Sequence, residues 1–321
     1  MAVQTKLQWH PNVLEPVFKE LYNLAMKDKK DFIPLLYLVT NSEKDTESYN
    51  GAGGEGLMEE WKYSNNQVFY DEVDELWQKY IKNRKFSDGR EIEKDFVDDL
   101  KLTEIQRRIT SLADAVYKTQ QLQAVEFLHN AFATTGPNWR GRVENYSGPD
   151  GQPLCSASHP YSPTNTVDVQ SNLGTSALTL DSWDETAVAM QEWVDDRGNP
   201  MAVIPDTLIV APYNARAAFK IAGLPDAELP KYEPGSNHFD ANMYMGNIKV
   251  IVNPFIRPQF RKSWFAADSS RMKQFNIWQW RRKIENGSMT DFDTEVSKFK
   301  AIGRWGYGFT NYSFIYGHNV T

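Results

Sequence analysis

The chain has 321 residues, enough to bury a large core, and its length fits two or three lobes better than one compact unit. Hydrophobic residues make up 41% and charged residues 24%, an ordinary globular balance that excludes wholesale disorder. The formal net charge of −7 argues against tight wrapping of nucleic acid, and we find neither a secretion signal nor the run of about 18 apolar residues that a membrane span needs.

The first predicted element is an amphipathic helix over residues 13–26. The apolar positions that follow helical spacing are Val13, Val17, Leu21 and Leu24. An apolar run over residues 31–40 comes next and is too short to cross a bilayer. Residues 41–56 are polar and rich in glycine, so we expect a boundary there.

Residues 61–99 combine many aromatic residues with charges of both signs, and two patterns conflict there. Residues 67–73 have strand-like side chains, and a turn at Ser87-Asp88-Gly89 would close a hairpin. A helix is the alternative, because four apolar side chains would then share one face. Those four residues are Val73, Trp77, Tyr80 and Ile81. The local sequence leaves both interpretations open.

Residues 103–131 form the clearest predicted element, a helix of almost 30 residues. Thr103 and Gln106 have the spacing of a capping box at its start. The apolar stripe consists of Ile105, Ile109, Leu112 and Val116, and continues slightly rotated through Leu122, Val125, Leu128 and Phe132. At 1.5 Å per residue such a helix is about 40 Å long, so we interpret it as a structural spine.

The next third of the chain predicts a small α/β lobe. Residues 137–172 are loop-like, and a helix is expected over 182–194. The sequence "DTLIVAP" predicts a buried strand, "YNARAAFKIAG" a helix that Gly223 caps, and "NIKVIVNPF" a second buried strand.

Cys155 and His159 are the most conspicuous candidates for catalysis. A nucleophile and its base must approach within about 3 Å. In an extended chain these residues are about 13 Å apart at roughly 3.3 Å per residue, and the prolines around them disfavour a helix. The neighbouring serines also lack a G-x-S-x-G setting. We therefore favour a loop whose polar groups hold its own backbone. As the single cysteine, Cys155 permits no internal disulfide and no cysteine-based zinc site, which fits a reducing cytoplasm.

Other signs of chemistry are weak. Residues 271–285 interleave basic and aromatic side chains, as a nucleic-acid surface would, but an exposed strand or a subunit contact explains them as well. The pairs Glu59-Glu60 and Asp98-Asp99 are interpreted as solvated faces. The sequence has no Walker loop, no G-x-G-x-x-G and no H-E-x-x-H. This profile favours assembly over catalysis.

Several segments occur in a specific order along the last two thirds of the chain. The spine ends in "FLHNAFATT", a spacer leads to "DGQPLCSASHP", and then come "DDRGNPMAVIPDTLIVAP", "ARAAFKIAG" and "NIKVIVNPF". This order resembles the major capsid (head) proteins of tailed phages with the Hong Kong 97-type fold, and is most similar to phage Mu-type and related prophage head subunits. The segment "FKAIGRWGYGFTNYSFIYGHN" also resembles their closing strands. The resemblance covers residues 96–321 well and the first third in outline.

The resemblance implies an α+β protein with the Hong Kong 97-like phage capsid fold. Its implied segments are an N-terminal arm (1–60), an extended loop that reaches over a neighbouring subunit (61–95), a peripheral domain with the spine helix (96–159), an axial α/β domain (160–260) and C-terminal strands that return to the peripheral domain (261–321). The segment around Cys155 then becomes a connection between lobes, with Cys155 in an apolar niche.

The resemblance also implies a structural protein without catalytic residues, cofactor or metal. It would self-assemble as hexamers and pentamers into the icosahedral head around packaged double-stranded DNA, which it meets by non-specific proximity. No long segment precedes the arm, so we expect a separate scaffolding protein, with a portal and a decoration protein as further partners and no membrane. Assembly would take place in the host bacterial cytoplasm, and the product would be part of the virion. The alternatives are an encapsulin-like bacterial nanocompartment shell, and a cysteine-type hydrolase that uses Cys155 and His159.

In the extended loop we predict contacts with the neighbouring subunit. The predicted contact residues are Trp77, Lys79, Tyr80, Lys82, Arg84, Lys85 and Phe86. Such a projecting segment would have little core of its own, so we expect it to be mobile in an isolated subunit. Deletion of residues 78–88 should then leave a folded subunit that no longer closes shells.

Overall fold

The computed structural model describes residues 11–54, 56–63, 67–68, 70, 75–95, 99, 101–223, 244, 246–291 and 293–321. The helices are α1 (Pro11–Lys27), α2 (Ile33–Leu36), α3 (Leu102–Ala124), α4 (Glu126–His129), α5 (Leu180–Gln191), α6 (Ala215–Ala222) and α7 (Ser269–Phe275), with short 3₁₀ turns at Pro212–Asn214 and Pro258–Phe260. The strands are β1 (Leu38–Asn41), β2 (Thr46–Ala52), β3 (Glu75–Lys82), β4 (Arg84–Ile92), β5 (Thr135–Pro137), β6 (Val143–Asn145), β7 (His159–Pro160), β8 (Val169–Gln170), β9 (Leu173–Gly174), β10 (Thr207–Val210), β11 (Lys249–Val252), β12 (Trp264–Ala267), β13 (Asn276–Thr290), β14 (Ser297–Phe309) and β15 (Ile315–His318).

A four-stranded sheet in the order β1-β13-β14-β4 joins both ends of the chain. β13 and β14 form a long antiparallel hairpin, whose register runs from Asn276 opposite Phe309 to Thr290 opposite Ser297. β4 pairs with β14 along its whole length, and β1 lies parallel to β13. The strands at the two edges of this sheet therefore come from the first third of the sequence.

A five-stranded sheet in the order β11-β10-β12-β15-β9 forms the core of the second lobe. Every residue of β10 and β12 is buried, which explains their continuous apolar sequences. α6 connects the parallel strands β10 and β11, and Gly223 ends it with a φ of 83°. The strand–helix–strand unit predicted from the sequence is confirmed, and Trp183 of α5 packs against it beside Trp264.

The C-terminal segment 261–321 contributes to both sheets. β13 and β14 belong to the four-stranded sheet, but β12 and β15 pair with each other and β12 pairs antiparallel with β10. The prediction that this whole segment returns to the peripheral domain is therefore corrected for β12 and β15. The physical reason is the apolar character of β12, whose four residues need burial on both faces.

The predicted spine is confirmed as α3, which packs on α1 and on β14. Its stripe residues Ile105, Ile109 and Leu112 are buried with Phe18 of α1, and the ring of Phe18 stacks on Phe299 at 4.8 Å. The described part of the predicted N-terminal arm therefore rests on the protein's own core. The helix predicted over residues 13–26 is also confirmed, as α1.

Two details of the spine prediction are wrong. The residue at the N-cap is Lys101, which makes no side-chain capping bond, so Thr103 and Gln106 form no capping box. The helix is also interrupted at Val125, whose φ of −104° and ψ of 2° separate α3 from the short α4. The apolar spacing continues across the break because Leu128 is buried in the next core cluster.

Both local interpretations of residues 61–99 need correction. Glu75–Lys82 is strand β3, which pairs with β2 as a two-stranded ribbon, so the predicted helix is wrong; its residue Val73 lies outside the described residues. The predicted turn at 87–89 is also wrong, because these residues lie in the middle of β4 opposite 300–302. Gly89 allows β4 and β14 to lie close together there, because a Cβ at this position would be only 3.1 Å from the carbonyl oxygen of Phe299.

Candidate intersubunit surface

Cys155 is buried in one of the protein's hydrophobic core clusters. Its side chain is 1% exposed and belongs to the core cluster that also contains Phe265. Sγ fills the space beside Gly317, where a Cβ would lie only 2.6 Å away. Burial raises the pKa of the Cys155 thiol, so the nucleophilic thiolate is disfavoured. This is the apolar niche that the sequence predicted.

His159 is fully engaged in hydrogen bonds that do not involve Cys155. Its Nδ1 lies 2.6 Å from Oδ2 of Asp150, and its Nε2 lies 3.1 Å from Oδ1 of Asn172. The ring stacks on Tyr312 with centroids 3.8 Å apart. With a buried thiol and an occupied imidazole, this geometry argues against the cysteine-type hydrolase. Sequence reasoning missed Asn172, because nothing in a loop of mixed polar residues marks one amide as buried.

The seven predicted contact residues occupy different environments. Tyr80 is 61% exposed, and Lys82, Arg84 and Lys85 are exposed as well. Trp77 and Lys79 are half-buried on β3, where Lys79 donates a hydrogen bond to the carbonyl of Ser147. Only the exposed members have a surface free for a neighbour.

Phe86 and Arg84 already have partners within the subunit. The ring of Phe86 lies 4.3 Å from that of Trp305, and Arg84 forms an ion pair with Glu144. Because β4 is hydrogen-bonded to β14 over nine residues, residues 84–92 belong to the sheet and do not project from it. The expectation that deletion of residues 78–88 leaves a folded subunit is therefore withdrawn.

The largest group of exposed apolar side chains lies instead in the connection between β2 and β3. Met58 is 99% exposed, and its neighbours are similarly accessible. The large apolar residues exposed in this connection are Leu57, Met58, Trp61, Tyr63, Val68 and Tyr70. Soluble surfaces rarely collect such side chains without a partner. The sequence prediction began the loop at residue 61 and left out the exposed Leu57 and Met58, because they follow a glycine-rich tract that looked like a boundary.

The buried carboxylate of Glu126 lies directly after the interruption of the spine helix at Val125. Glu126 accepts hydrogen bonds from the backbone N–H of Trp139 at 2.6 Å and from the hydroxyls of Tyr146 at 3.0 Å and Tyr307 at 2.6 Å. Burial raises the pKa of Glu126, although these hydrogen bonds oppose the shift. The carboxyl group ties the end of the spine to the β5–β6 turn and to β14.

Two further classes of function find no support in the part of the chain that the structure describes. None of its helices is long and apolar enough to cross a bilayer. No group of three or more His, Cys, Asp or Glu side chains in the described ranges could hold a metal ion.

A spine helix beside a long β-hairpin, a separate α/β lobe and a ribbon with an apolar loop form a fold that the subunits of known protein shells share. The chain belongs to the phage capsid protein family, whose model matches residues 78–317. The fold is similar to a virus-like particle from Pyrococcus furiosus, with a TM-score of 0.52, 11% identity, and coverage of 95% of this chain and 98% of that chain. It is also similar to Mycobacterium phage Patience, with a TM-score of 0.52, 12% identity, and coverage of 99% and 89%. No curated protein matches the sequence.

The family and the fold together confirm the main prediction from the sequence. The protein is a structural major capsid protein with the Hong Kong 97-like fold, which self-assembles into an icosahedral shell and resides in the virion. The family match favours this conclusion over a nanocompartment shell. The narrower likeness to Mu-type head subunits stays a prediction.

Proposed function

We propose that this capsid subunit forms hexamers and pentamers, and that it holds its neighbours through the connection between β2 and β3. The observation that carries the proposal is the concentration of exposed apolar side chains at residues 57–70. Buried at an interface, aromatic side chains of this kind commonly contribute more than about 1 kcal/mol each. We therefore propose that the extended loop consists of the ribbon of residues 46–82 with its connection, in place of residues 61–95. Tyr80, Lys82 and Lys85 flank this contact.

We further propose the partners that the sequence implied. The shell encloses packaged double-stranded DNA without base-specific contacts, and its assembly in the bacterial cytoplasm involves separate scaffolding, portal and decoration proteins. The subunit has no enzymatic activity of its own. The buried thiol of Cys155 and its raised pKa support this last point.

The test of the loop contact replaces Leu57, Met58, Trp61 and Tyr63 together by serine. These side chains are exposed, so the isolated subunit should keep its circular dichroism spectrum and unfolding midpoint. Shells should disappear from size-exclusion chromatography and negative-stain images, because the apolar contacts between subunits are lost.

The matched control replaces four exposed apolar residues elsewhere, Val167, Val188, Ile204 and Met289, by serine. It should assemble like the unmodified protein. Normal shells from the loop variant would contradict the proposal, and an unfolded loop variant would place these side chains in the core. The content of purified shells separates the two kinds of particle: nucleic acid indicates a phage head, and an enzyme indicates a nanocompartment.

A further inference from the structure

A groove lies between α3, β4 and the turn that joins β5 to β6. It encloses about 470 Å³. Its floor is aromatic and is formed by Phe86, Trp139 and Trp305, with the ring of Phe86 5.6 Å from Trp139 and 4.3 Å from Trp305. A groove with a preformed aromatic floor can receive apolar side chains at little cost in conformational entropy.

The rim of this groove is cationic. Arg84, Lys85, Arg140 and Arg142 line it. Arg84 is paired with Glu144, and the nearby Asp88 is paired with Arg90. Within the described ranges, Lys85, Arg140 and Arg142 are exposed and have no carboxylate partner. The groove therefore carries an excess of positive charge around an apolar centre.

The connection between β2 and β3 has the complementary composition. Residues 53–74 contain six carboxylates and one lysine, together with four aromatic residues. Within it, Glu59 and Glu60 are exposed between the apolar pair Leu57 and Met58 on one side and Trp61 on the other. An acidic, apolar segment of this kind matches a groove with a cationic rim and an aromatic floor.

The groove and the loop lie apart within one subunit. β3 leads from the loop to the start of β4 over eight residues, which is about 26 Å at 3.3 Å per residue. The beginning of the loop contacts the lobe that contains the five-stranded sheet, because the backbone N–H of Gly54 donates a hydrogen bond to the carboxylate of Asp196. The occupant that fits the groove is therefore the loop of a second copy.

We propose that the groove receives residues 57–63 of a neighbouring subunit, with Glu59 and Glu60 facing Lys85, Arg140 and Arg142 and with apolar loop side chains over the aromatic floor. This inference rests on the proposed function of the loop and adds the surface that receives it. The contact joins two different patches of identical chains, so it is heterologous. Contacts of this type close into rings when the rotation between subunits allows it, as hexamers and pentamers require.

The first test is a charge swap in the full-length protein. Arg140→Glu with Arg142→Glu reverses the rim, and Glu59→Lys with Glu60→Lys reverses the loop. Each double variant should lower the yield of shells at least about tenfold, and the four changes together should restore it, because the complementarity returns with opposite sign. As a control, Arg107→Glu with Lys118→Glu reverses two exposed cations of α3 outside the groove and should assemble normally.

The second test locates the contact directly. Subunits that carry Glu60→Cys are assembled with subunits that carry Arg142→Cys, and the mixture is oxidised; the buried Cys155 does not compete. A disulfide-linked dimer of one subunit of each type is expected. Two results would overturn the groove assignment but keep the loop contact. One is a cross-linker attached at Glu60→Cys that reacts with another region of the neighbouring subunit. The other is failure of the charge swap to restore shells. Cross-links from Glu60→Cys only within its own subunit overturn both.

Discussion

Asn172 is a fully buried amide whose four hydrogen bonds join three separate segments of the chain. Its Oδ1 accepts from the backbone of Ser156 and lies beside His159, and its Nδ2 donates to the carbonyls of Leu154 and Ile315. The connection that contains Cys155 is thus fastened to the last strand. The role of Cys155 could be predicted from the prolines around it. The roles of Asn172 and Glu126 each include a partner more than 100 residues away, Ile315 and Tyr307, which no local pattern contains.

Replacement of Cys155 tests whether this segment is structural. Cys155→Ala should lower the free energy of unfolding by about 1–2 kcal/mol and leave shell assembly unchanged, because a small buried sulfur is removed from an apolar cluster. The measurements are urea unfolding and particle yield. Shells that form normally from a stable variant but lose an activity of the intact protein would restore the nucleophile hypothesis.

His129 gives the protein a predictable dependence on pH. Its Nε2 accepts from the backbone N–H of Arg257, and burial, assisted by the Arg257 charge, lowers its pKa to about 3. An unfolded chain protonates histidine near pH 6.5, so between these values the unfolded state binds more protons and the free energy of unfolding falls as the pH decreases. The fall amounts to at most about 1.4 kcal/mol per pH unit for this residue.

The variant His129→Gln isolates this contribution. Glutamine keeps a hydrogen-bond acceptor but cannot be protonated. It should be less stable than the unmodified protein at pH 7, because the stacking of His129 on Phe260 is lost, and the difference should shrink as the pH approaches 5. Urea unfolding of both proteins at several pH values measures this. A constant difference between pH 7 and pH 5 would show that His129 does not stay neutral in the folded protein.

Among the elements, the helices α1, α3, α5 and α6 and the buried strands β10 and β11 could be predicted, whereas α7, β12, the ribbon and β4 could not. The stripe of α3 and the apolar runs of β10 and β11 are local signals that match their burial. β4 has no such signal, because its apolar residues alternate irregularly and its partner β14 lies more than 200 residues later. The base of the ribbon depends on Gln279 of β13, which donates to the carbonyl of Ile81 and accepts from Tyr49.

Substitutions at Leu112 test the assignment of the spine helix α3. Leu112→Pro should destabilise the subunit by about 3 kcal/mol or more, because proline removes a backbone hydrogen bond inside α3 and clashes with the preceding turn. The conservative variant Leu112→Met should cost less than about 1.5 kcal/mol at the same buried position. Circular dichroism and the yield of soluble protein measure both effects. A soluble proline variant with unchanged helicity would contradict the assignment of the spine.

At the scale of the whole molecule, the order of segments carried more information than any single motif. The sequence predicted the shell fold correctly from that order, but it treated all aromatic residues of the extended loop as equivalent anchors. The structure separates them: Phe86 packs on Trp305 inside the subunit, whereas Tyr80 is open to solvent. Exposure of a strand's side chain depends on which sheet the strand joins, and that is a property of the complete fold.

Tyr80 and Phe86 therefore predict opposite phenotypes. Phe86→Ala should lower the stability of the isolated subunit by about 2–3 kcal/mol, because it opens a cavity against Trp305 and Trp139. Tyr80→Ala should change that stability by less than about 0.5 kcal/mol while it lowers the yield of shells. Urea unfolding of subunits and negative-stain counts of particles distinguish the two. Equal loss of stability in both variants would contradict the separation.

The position of β15 has a consequence for synthesis of the chain. This strand comprises residues 315–318, yet it lies inside the five-stranded sheet between β12 and β9. Within that sheet β9 pairs only with β15. In the other sheet, β1 and β4 are synthesised early but pair with β13 and β14, which follow about 200 residues later. An emerging polypeptide thus cannot complete the four-stranded sheet before residue 309, or the five-stranded sheet before residue 318, has been synthesised. A chain that stops before residue 315 therefore lacks the strand that joins β9 to the five-stranded sheet, and we expect it not to form a subunit fit for assembly.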